Sequence, residues 1–160
     1  MEVKDNFLPD NIFEYVRGHI MSPGLPWLFQ PTVAKETDDM SYDNYMYSHM
    51  VYHEQRPRSP VYEDLIPLVE QLNVKSVIRI LLNAYPYTPK LQLHADHIDF
   101  EYPHKGAILY LNTCDGYTYC EGEKVYSVAN RLLIHDPSKL HHSTTTSNAQ
   151  RRVICNVNYF

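Results

Sequence analysis

The chain has 160 residues, enough for one domain with a hydrophobic core and too few for two. Its composition, 44% hydrophobic and 21% charged, is that of a folded globular protein. The formal charge of −5, without a long basic run, argues against a nucleic-acid-binding footprint or a polybasic membrane patch. No apolar run of the sequence approaches the roughly 20 residues that a membrane-spanning helix needs.

The three cysteines, Cys114, Cys120 and Cys155, match no metal-binding or redox spacing. We therefore expect free thiols in a reducing compartment. The stretch MEVKDNFLPD lacks the charged-then-apolar layout of a signal peptide. We accordingly expect the protein to stay in the cytoplasm.

The N-terminal part, residues 1–73, is predicted to consist of helices and loops. In LPDNIFEYVRGHI, Asp10 offers an N-cap and apolar residues follow at near-helical spacing, until MSPGLPW ends the helix. A second helix is predicted in VYEDLIPLVEQL, with a kink or an early end at Pro67. Residues 31–59 are predicted as loops with short strands. Within them, the Tyr-rich segment 42–52 suits a lid, a substrate groove or a packed edge.

From residue 74 the pattern changes to short apolar or alternating runs separated by turn signals. The runs are VKSVIRILLNAYPY, KGAILYLNT, GYTYCEGEKVYSVANRLLIHD and RRVICNVNYF. Asp115-Gly116 and Glu121-Gly122 are dipeptides typical of hairpins. Several strands at short intervals predict a sandwich or barrel. The predicted fold class is mainly β with flanking α, as one domain over residues 1–160 in which two helices lead into a jelly-roll core at 74–160.

Residues that commonly bind metals concentrate in two stretches. LHADHIDF contains His-x-Asp twice, as His94/Asp96 and as His97/Asp99. On a strand the two pairs would face opposite sides, so they cannot share one site. LIHDPSKLHHSTTT adds three histidines: His135, His141 and His142. Two ligands on one strand and a third from a distant strand are what a 2-His-1-carboxylate Fe(II) site needs, and either pair qualifies.

A cation follows the second stretch. In RRVICNVNYF, Arg152 shares a strand face with Asn156 and Asn158, whereas Arg151 falls on the other, apolar face. A buried arginine needs an anionic partner, and a dicarboxylate can supply one through a bidentate pair. The alternative is that Arg152 pairs with an acid of the protein itself.

From about residue 74 to its end, the chain resembles the 2-oxoglutarate- and Fe(II)-dependent oxygenases, and is most similar to their small prolyl-4-hydroxylase-like members of phage and bacteria. The matching stretches are HIDFEYPHKGAILYLNTCDGYT, SVANRLLIHDPSKLHHSTTT and RRVICNVNYF, in the same order and spacing. The resemblance implies a double-stranded β-helix, the cupin-like jelly roll. It implies Fe(II) as cofactor, 2-oxoglutarate and O2 as co-substrates, and ascorbate as a candidate stimulant. For a phage-encoded chain, the implied location is the host cytoplasm.

The resemblance also assigns the metal ligands. His97 and Asp99 are followed by an aromatic residue and then HKGAI, as in the family, so they would be two ligands. In the family the later histidine precedes an arginine by about ten residues. Here the difference 152 − 141 is 11, so His141 would be the third ligand and His142 its neighbour.

Further residues receive roles from the same resemblance. Arg152 would bind the distal carboxylate of 2-oxoglutarate, and Asn83 and Tyr110 are candidates for lining that co-substrate. His135 falls where relatives carry an apolar aromatic residue, so it is interpreted as packing or rim. The pair His94/Asp96 would then supply polar groups around the site or on the surface.

The implied reaction is hydroxylation of an unactivated C–H bond, with succinate and CO2 as co-products. A prolyl or other protein side chain, or a small molecule, is the implied substrate, and the acidic charge disfavours nucleic acid. The alternative function is a non-catalytic, cupin-like metal-binding jelly-roll module, and a structural jelly roll with incidental histidines is a third. Arg152 distinguishes them, because a non-oxygenase does not need an internal arginine. The oligomeric state is left open.

Overall fold

The computed structural model of the protein describes residues 1–34 and 44–160. The helices of this part are α1 (Asp10–Met21), α2 (Val61–Asp64) and α3 (Ile66–Gln71). Its strands are β1 (Glu2–Lys4), β2 (Leu28–Gln30), β3 (Met46–His53), β4 (Arg56–Pro57), β5 (Val77–Pro86), β6 (Lys105–Tyr110), β7 (Tyr117–Cys120), β8 (Glu123–Tyr126), β9 (Leu132–His135), β10 (His141–Ser143) and β11 (Arg151–Tyr159). Within these residues, no helix is long and apolar enough to span a membrane.

The strands form two antiparallel sheets. The larger has the order β1-β9-β6-β11-β5-β3-β2, with β4 paired to β3, and the smaller has the order β10-β7-β8. Residues from both sheets line a common cavity, so the two sheets face each other. The predicted mainly β, jelly-roll fold class is confirmed.

Strand β11 is the centre of the larger sheet, paired with β5 on one edge and β6 on the other. Its alternation separates two environments, as the sequence predicts. Val153, Cys155 and Val157 belong to the main hydrophobic cluster, which also contains residues of α1, α2 and α3. Arg152 and Asn156 point the other way, toward the smaller sheet, because successive side chains of a strand face opposite sides. The helices thus cover one face of the larger sheet, and the cavity occupies the other.

The two predicted helices are present in altered form. Helix α1 begins at Asp10 with Pro9 in the N-cap position, so Asp10 lies in the first turn and does not cap it. The second predicted helix is divided at Leu65 into α2 and α3. Pro67 explains the division, because its ring disfavours helical backbone at the preceding residue and clashes with the carbonyl four residues earlier.

The N-terminal part also supplies strands to the larger sheet, which the sequence indicated only as short strands among loops. Strand β3 lies inside that sheet, between β5 and the edge strands β2 and β4. The described part of the Tyr-rich segment 42–52 is therefore neither a lid nor an edge, and the predicted loop region 31–59 includes residues 35–43, which lie outside the described residues. The prediction of a single domain, with residues 1–73 as its supporting part and residues 74–160 as its core, stays a prediction.

The two predicted hairpin dipeptides have different outcomes. Glu121-Gly122 joins β7 to β8 as a two-residue turn, with positive φ at both residues (51° and 88°). Asp115-Gly116 does not form a hairpin, because β6 belongs to the larger sheet and β7 to the smaller one. The segment that contains Asp115-Gly116 crosses from one sheet to the other. An Asp-Gly turn can therefore form either a hairpin or such a crossing.

Asn130 fastens the N-terminal segment to this framework, and we predict that Asn130→Ala is strongly destabilising. The buried side chain accepts a hydrogen bond from the Leu8 amide (2.9 Å) and donates one to the Leu8 carbonyl (2.8 Å), and its φ is 63°. Two buried backbone groups would lose their partners, which costs about 2–4 kcal/mol of unfolding free energy. Urea unfolding measures this loss.

The matched control is Asn6→Ala, because Asn6 also has a positive φ (51°) but is exposed. It should cost only the backbone strain, about 1 kcal/mol. Equal losses for the two variants would contradict the role given to the Asn130 side chain.

Candidate metal centre

A cavity of about 340 Å³ lies between the two sheets. Its walls come from β3 and β5, from the segment after β5, and from β7 and β10. Alternate residues of β5 face it: Arg79, Leu81, Asn83 and Tyr85. Apolar side chains such as Leu81, Ile108 and Ile154 share the wall with a small number of polar groups, as in most ligand-binding cavities.

Three side chains of the types that bind metals meet at this cavity. His97 and Asp99 lie in the segment between β5 and β6, and His141 is the first residue of β10. One ligand atom from each lies within 4.8 Å of the others. The backbone brings them together, since His97 and His141 exchange two amide-carbonyl hydrogen bonds of 2.9 and 3.0 Å. The structure thus unites the three residues that the resemblance indicated, and their binding of a metal stays a prediction.

Both histidines are oriented by hydrogen bonds to backbone carbonyls. Nδ1 of His141 donates to the Lys139 carbonyl (2.9 Å), and Nδ1 of His97 donates to the Ala95 carbonyl (3.3 Å). With Nδ1 protonated, the Nε2 lone pair of each ring is the atom that can bind a metal. Burial, together with the proximity of His97, lowers the pKa of His141 and favours this neutral form.

Asp99 is held by three donors. Nη2 of Arg79 lies 2.8 Å from Oδ1, while Oδ2 accepts hydrogen bonds from the side-chain amides of Asn158 (2.8 Å) and Asn156 (3.3 Å). Burial alone would raise the pKa of Asp99, but Arg79 and the Asn158 amide hold it well below its ordinary value. The carboxylate is therefore ionised and fixed in orientation, as a metal ligand requires.

The side chains of the rival pair, His94 and Asp96, do not converge on one metal site. His94 is buried beside Tyr85, with ring centroids 5.1 Å apart, and its Nδ1 lies 2.8 Å from the Ser143 hydroxyl. Asp96 is exposed and contacts His142, with Oδ1 2.7 Å from Nδ1. The two residues thus diverge into different surroundings.

Arg152 lies directly behind the cavity wall and is completely buried. Its guanidinium donates to the Thr118 hydroxyl (2.9 Å) and the Thr144 carbonyl (3.2 Å), and it lies against the rings of Tyr85 and Tyr110. None of the ion pairs found among the described residues includes it, and its Nε has no hydrogen-bond partner there. A buried cation without a carboxylate is costly, so this guanidinium is suited to an anionic ligand.

Gly116 leaves room for the Arg152 side chain. A Cβ at Gly116 would lie 2.5 Å from the Thr145 carbonyl oxygen and 2.6 Å from Cδ of Arg152, closer than packed atoms allow. The glycine of the Asp115-Gly116 pair, which the sequence indicated as part of a turn, is thus needed for this close approach.

The other two predicted co-substrate residues occupy different places. Asn83 lines the cavity, and its amide nitrogen is 3.4 Å from the Tyr85 hydroxyl. Tyr110 is fully buried under Arg152 and is not among the residues found lining the cavity. Burial raises its pKa to about 12, in spite of the nearby Arg152, so it is a neutral phenol that packs against the guanidinium.

Sequence reasoning missed several cavity residues. Arg79 and Tyr85 have the same parity as Asn83 on β5, so strand alternation could have identified them. Thr118 and Ser143 also line the cavity. They lie on β7 and β10, and the pairing of these two strands carries no local signal in the sequence.

His135 lies behind the two histidines of the candidate metal cluster, so it is a packing residue and does not lie at the rim. It is buried on β9, and its ring centroid is 5.0 Å from that of His141. Neither ring nitrogen has a hydrogen-bond partner among the described residues. Burial, with the proximity of His141, lowers its pKa to about 4.

The donor set fits a particular class of metal. Two imidazole nitrogens and one carboxylate suit Fe(II), and a set of three leaves further coordination positions open. The guanidinium of Arg152, which has no carboxylate partner among the described residues, suits a second, anionic ligand in the same region. The described residues therefore suit both a 2-His-1-carboxylate iron and a dicarboxylate.

The chain is similar to solved structures of enzymes. A prolyl-4-hydroxylase from Pseudomonas putida matches with a TM-score of 0.64 and 14% identity, over 99% of this chain and 91% of that chain. A prolyl hydroxylase from Trichoplax adhaerens, in complex with a peptide fragment of hypoxia inducible factor, matches with 0.66 and 14%, over 99% and 82%. HygX from Streptomyces hygroscopicus, with nickel and 2-oxoglutarate bound, matches with 0.62 and 13%, over 98% and 81%.

The chain has the fold of the 2-oxoglutarate- and Fe(II)-dependent oxygenases. This similarity extends over nearly the whole chain, beyond the part from residue 74 in which the sequence resembles that family. No protein-family model matches the sequence, and no curated protein is significantly similar to it.

We predict that Arg152→Met leaves the protein at least as stable as the wild type, and up to about 2 kcal/mol more stable. Replacing a buried charge that has no carboxylate partner by an apolar side chain of similar length removes its desolvation cost. Thermal and urea unfolding without added ligand measure the difference.

Arg79→Met is the matched control. Removal of the Arg79 guanidinium leaves the buried Asp99 carboxylate without its cation, so the substitution should cost about 3 kcal/mol of unfolding free energy. A loss of more than about 1 kcal/mol in Arg152→Met would show that Arg152 serves the fold itself.

We further predict that His135 makes the protein acid-sensitive. Its pKa in the folded protein, about 4, lies below the ordinary 6.5, so the unfolded chain binds a proton that the folded chain does not. Its stabilising effect is complete above about pH 6.5 and is lost as the pH falls toward 4, by about 3 kcal/mol in total. His135→Leu should abolish this part of the pH dependence of unfolding free energy.

Ile134→Leu, a change on the same strand β9 that removes no titratable group, provides the control and should leave the acid dependence as in the wild type. Parallel stability-pH curves for wild type and His135→Leu would contradict the buried neutral state of His135.

Proposed function

We propose that this protein is an Fe(II)- and 2-oxoglutarate-dependent dioxygenase that hydroxylates an unactivated C–H bond, with succinate and CO2 as co-products. One observation carries the proposal. A cavity bounded by two histidines and a carboxylate also has, behind its wall, a buried arginine without a carboxylate partner. The first feature suits iron, and the second suits a dicarboxylate beside it.

His97, Asp99 and His141 would hold the metal. When bound with 2-oxoglutarate and O2, Fe(II) supplies oxidative decarboxylation coupled to hydroxylation. The chain's part is to present the ligands in the right state. The carbonyls of Ala95 and Lys139 keep the Nδ1 protons in place, so both Nε2 lone pairs are available.

Arg152 would bind the distal carboxylate of the co-substrate through charge-assisted hydrogen bonds. The hydroxyl of Thr118, which already accepts from Arg152, and the amide of Asn83 are polar groups beside that position. The apolar wall residues Leu81 and Ile154 exclude water and strengthen the interaction of the charges. The arginine thereby orients the co-substrate relative to the metal ligands.

For the substrate, we place a prolyl side chain of a peptide first, ahead of other protein side chains and small molecules. Two structural neighbours are prolyl hydroxylases, and one of them was solved with a peptide fragment. The net charge of −5 continues to disfavour nucleic acid. Cytoplasmic location stays a prediction, as does stimulation by ascorbate.

The alternative, a cupin-like metal-binding module without catalysis, accounts for the three ligands but not for Arg152. Such a module would have no anion to place beside the guanidinium, and its stability would gain from an apolar residue there. The burial of an unpaired charge beside the cavity therefore favours the oxygenase.

Anaerobic titration of the apo protein with Fe(II) and then 2-oxoglutarate tests the proposal. We expect the weak visible metal-to-ligand charge-transfer band in the wild type. The band should be absent in His97→Ala and retained at saturating metal in His94→Ala. In Arg152→Ala, the dissociation constant of 2-oxoglutarate measured from the band should rise at least about tenfold.

Retention in His94→Ala together with loss in His97→Ala would assign the ligating pair. Bound metal without a band in the wild type would refute the oxygenase and leave the binding module. A band of equal strength in wild type and His97→Ala would refute the assigned ligands.

A further inference from the structure

The two acids of the stretch LHADHIDF contact different partners. Asp99 belongs to the metal cluster, whereas Asp96 contacts His142, the residue after the ligand His141. The Asp96–His142 contact is short, with Oδ1 2.7 Å from Nδ1, and the His142 side chain is largely buried while that of Asp96 is 57% exposed. A carboxylate on the ligand-bearing segment is thus tied to the ligand-bearing strand.

The segment containing residues 93–99 runs antiparallel along β10. Bridges join Leu93 to Thr144 and His97 to His141. The His94 amide donates to the Ser143 carbonyl (3.0 Å), and His97 and His141 exchange two backbone hydrogen bonds further along the segment. The Asp96–His142 side-chain contact lies between these two points. It adds a side-chain connection to the backbone pairing of the two segments.

His142 is itself held in position. Its ring stacks on Tyr119, with centroids 4.9 Å apart and planes inclined by 14°. Tyr119 lies opposite His142 in the pairing of β7 with β10. With the ring fixed by stacking, the direction of its Nδ1–H bond is fixed as well, and it points at Asp96. The contact needs only a neutral imidazole that donates to the carboxylate.

The metal ligands need such support because of where they lie. His97 and Asp99 belong to an irregular segment of 18 residues, 87–104, between β5 and β6, and His141 lies on a strand of three residues. Ordering irregular backbone costs about 1–2 kcal/mol per residue. A site whose ligands are ordered before the metal arrives does not bear this cost at binding.

We propose that Asp96 and His142 form a latch that positions His97 and Asp99 against His141 for metal binding. The inference rests on the proposed function only in taking those three residues as the metal ligands. Asp96 and His142 are positioning residues for the metal, since the latch acts on its ligands through the backbone. His142 also lines the cavity, so the test measures metal binding without a co-substrate.

The test is a titration of the apo protein with Mn(II), in which the electron paramagnetic resonance signal of the free ion measures how much metal remains unbound. Asp96→Ala should raise the dissociation constant about 5- to 10-fold, a discount for exposure on the 10- to 100-fold typical of groups that orient ligands. His142→Phe, which keeps the ring on Tyr119 but removes the Nδ1 donor, should do the same. The double variant should match the single ones, because both remove one interaction.

Asp96→Asn separates the hydrogen bond from simple attraction between Asp96 and the cation. Its side-chain oxygen can still accept from His142 while the charge is gone, so its dissociation constant should stay within about twofold of the wild type. Asp5→Ala, which removes an exposed acid paired with Arg131, should have no effect. Asp96→Ala and Asp96→Asn both change an exposed side chain, so both should stay folded, and their apo melting temperatures check this.

Three results would overturn the latch. Asp96→Ala could bind Mn(II) as tightly as the wild type, Asp96→Asn could be as weak as Asp96→Ala, or the effects of Asp96→Ala and His142→Phe could multiply in the double variant. Failure of the proposed function is distinguishable, since the wild type itself would then not bind Mn(II), or would bind it without a 2-oxoglutarate response.

Discussion

The buried charge of Arg152 is the constraint on which the candidate site depends. A guanidinium that is removed from water without a carboxylate beside it lowers stability. Two hydrogen bonds and the faces of Tyr85 and Tyr110 compensate in part for the lost hydration of the guanidinium. Gly116, which has no side chain, leaves room for Arg152. A jelly roll that served only as a scaffold would gain from an apolar residue at this position. The proposed anionic ligand would account for a charge at this position.

The candidate site is built from both regular and irregular parts of the fold. The cation lies on β11, which is paired along both edges and therefore fixes its side chains firmly. The candidate metal ligands lie on the segment before β6 and on the short β10, which have few pairing partners. Side-chain contacts replace the missing ladder: Arg79 and two amides on Asp99, and carbonyls on His97 and His141. The geometry of the centre thus depends on residues around the ligands as much as on the ligands.

Part of this arrangement is readable in the sequence and part is not. The alternation of β11 placed Arg152 on the cavity side, and the resemblance selected His97, Asp99 and His141, because both signals are local in the chain. The Arg79 contact to Asp99 depends on how β5 meets a segment about 20 residues later, and strand β10 has only three residues, so local patterns predict neither. Asp115-Gly116 misled because the same turn chemistry serves a hairpin and a crossing between sheets. The strand β3, rich in Tyr and Met, has no clear apolar alternation and owes its place to pairing with β5.

The account stands or falls on whether Arg152 exists for a distal carboxylate. The direct measurement is calorimetric titration of the Mn(II)-loaded protein, without O2, with 2-oxoglutarate and with 2-oxopentanoate, which has a methyl group in place of that carboxylate. The wild type should bind 2-oxoglutarate at least about 100-fold more tightly, as expected for a buried charge pair. Arg152→Met should bind the two compounds equally. A wild type that does not distinguish them, or an Arg152→Met variant that keeps the preference, would contradict the account.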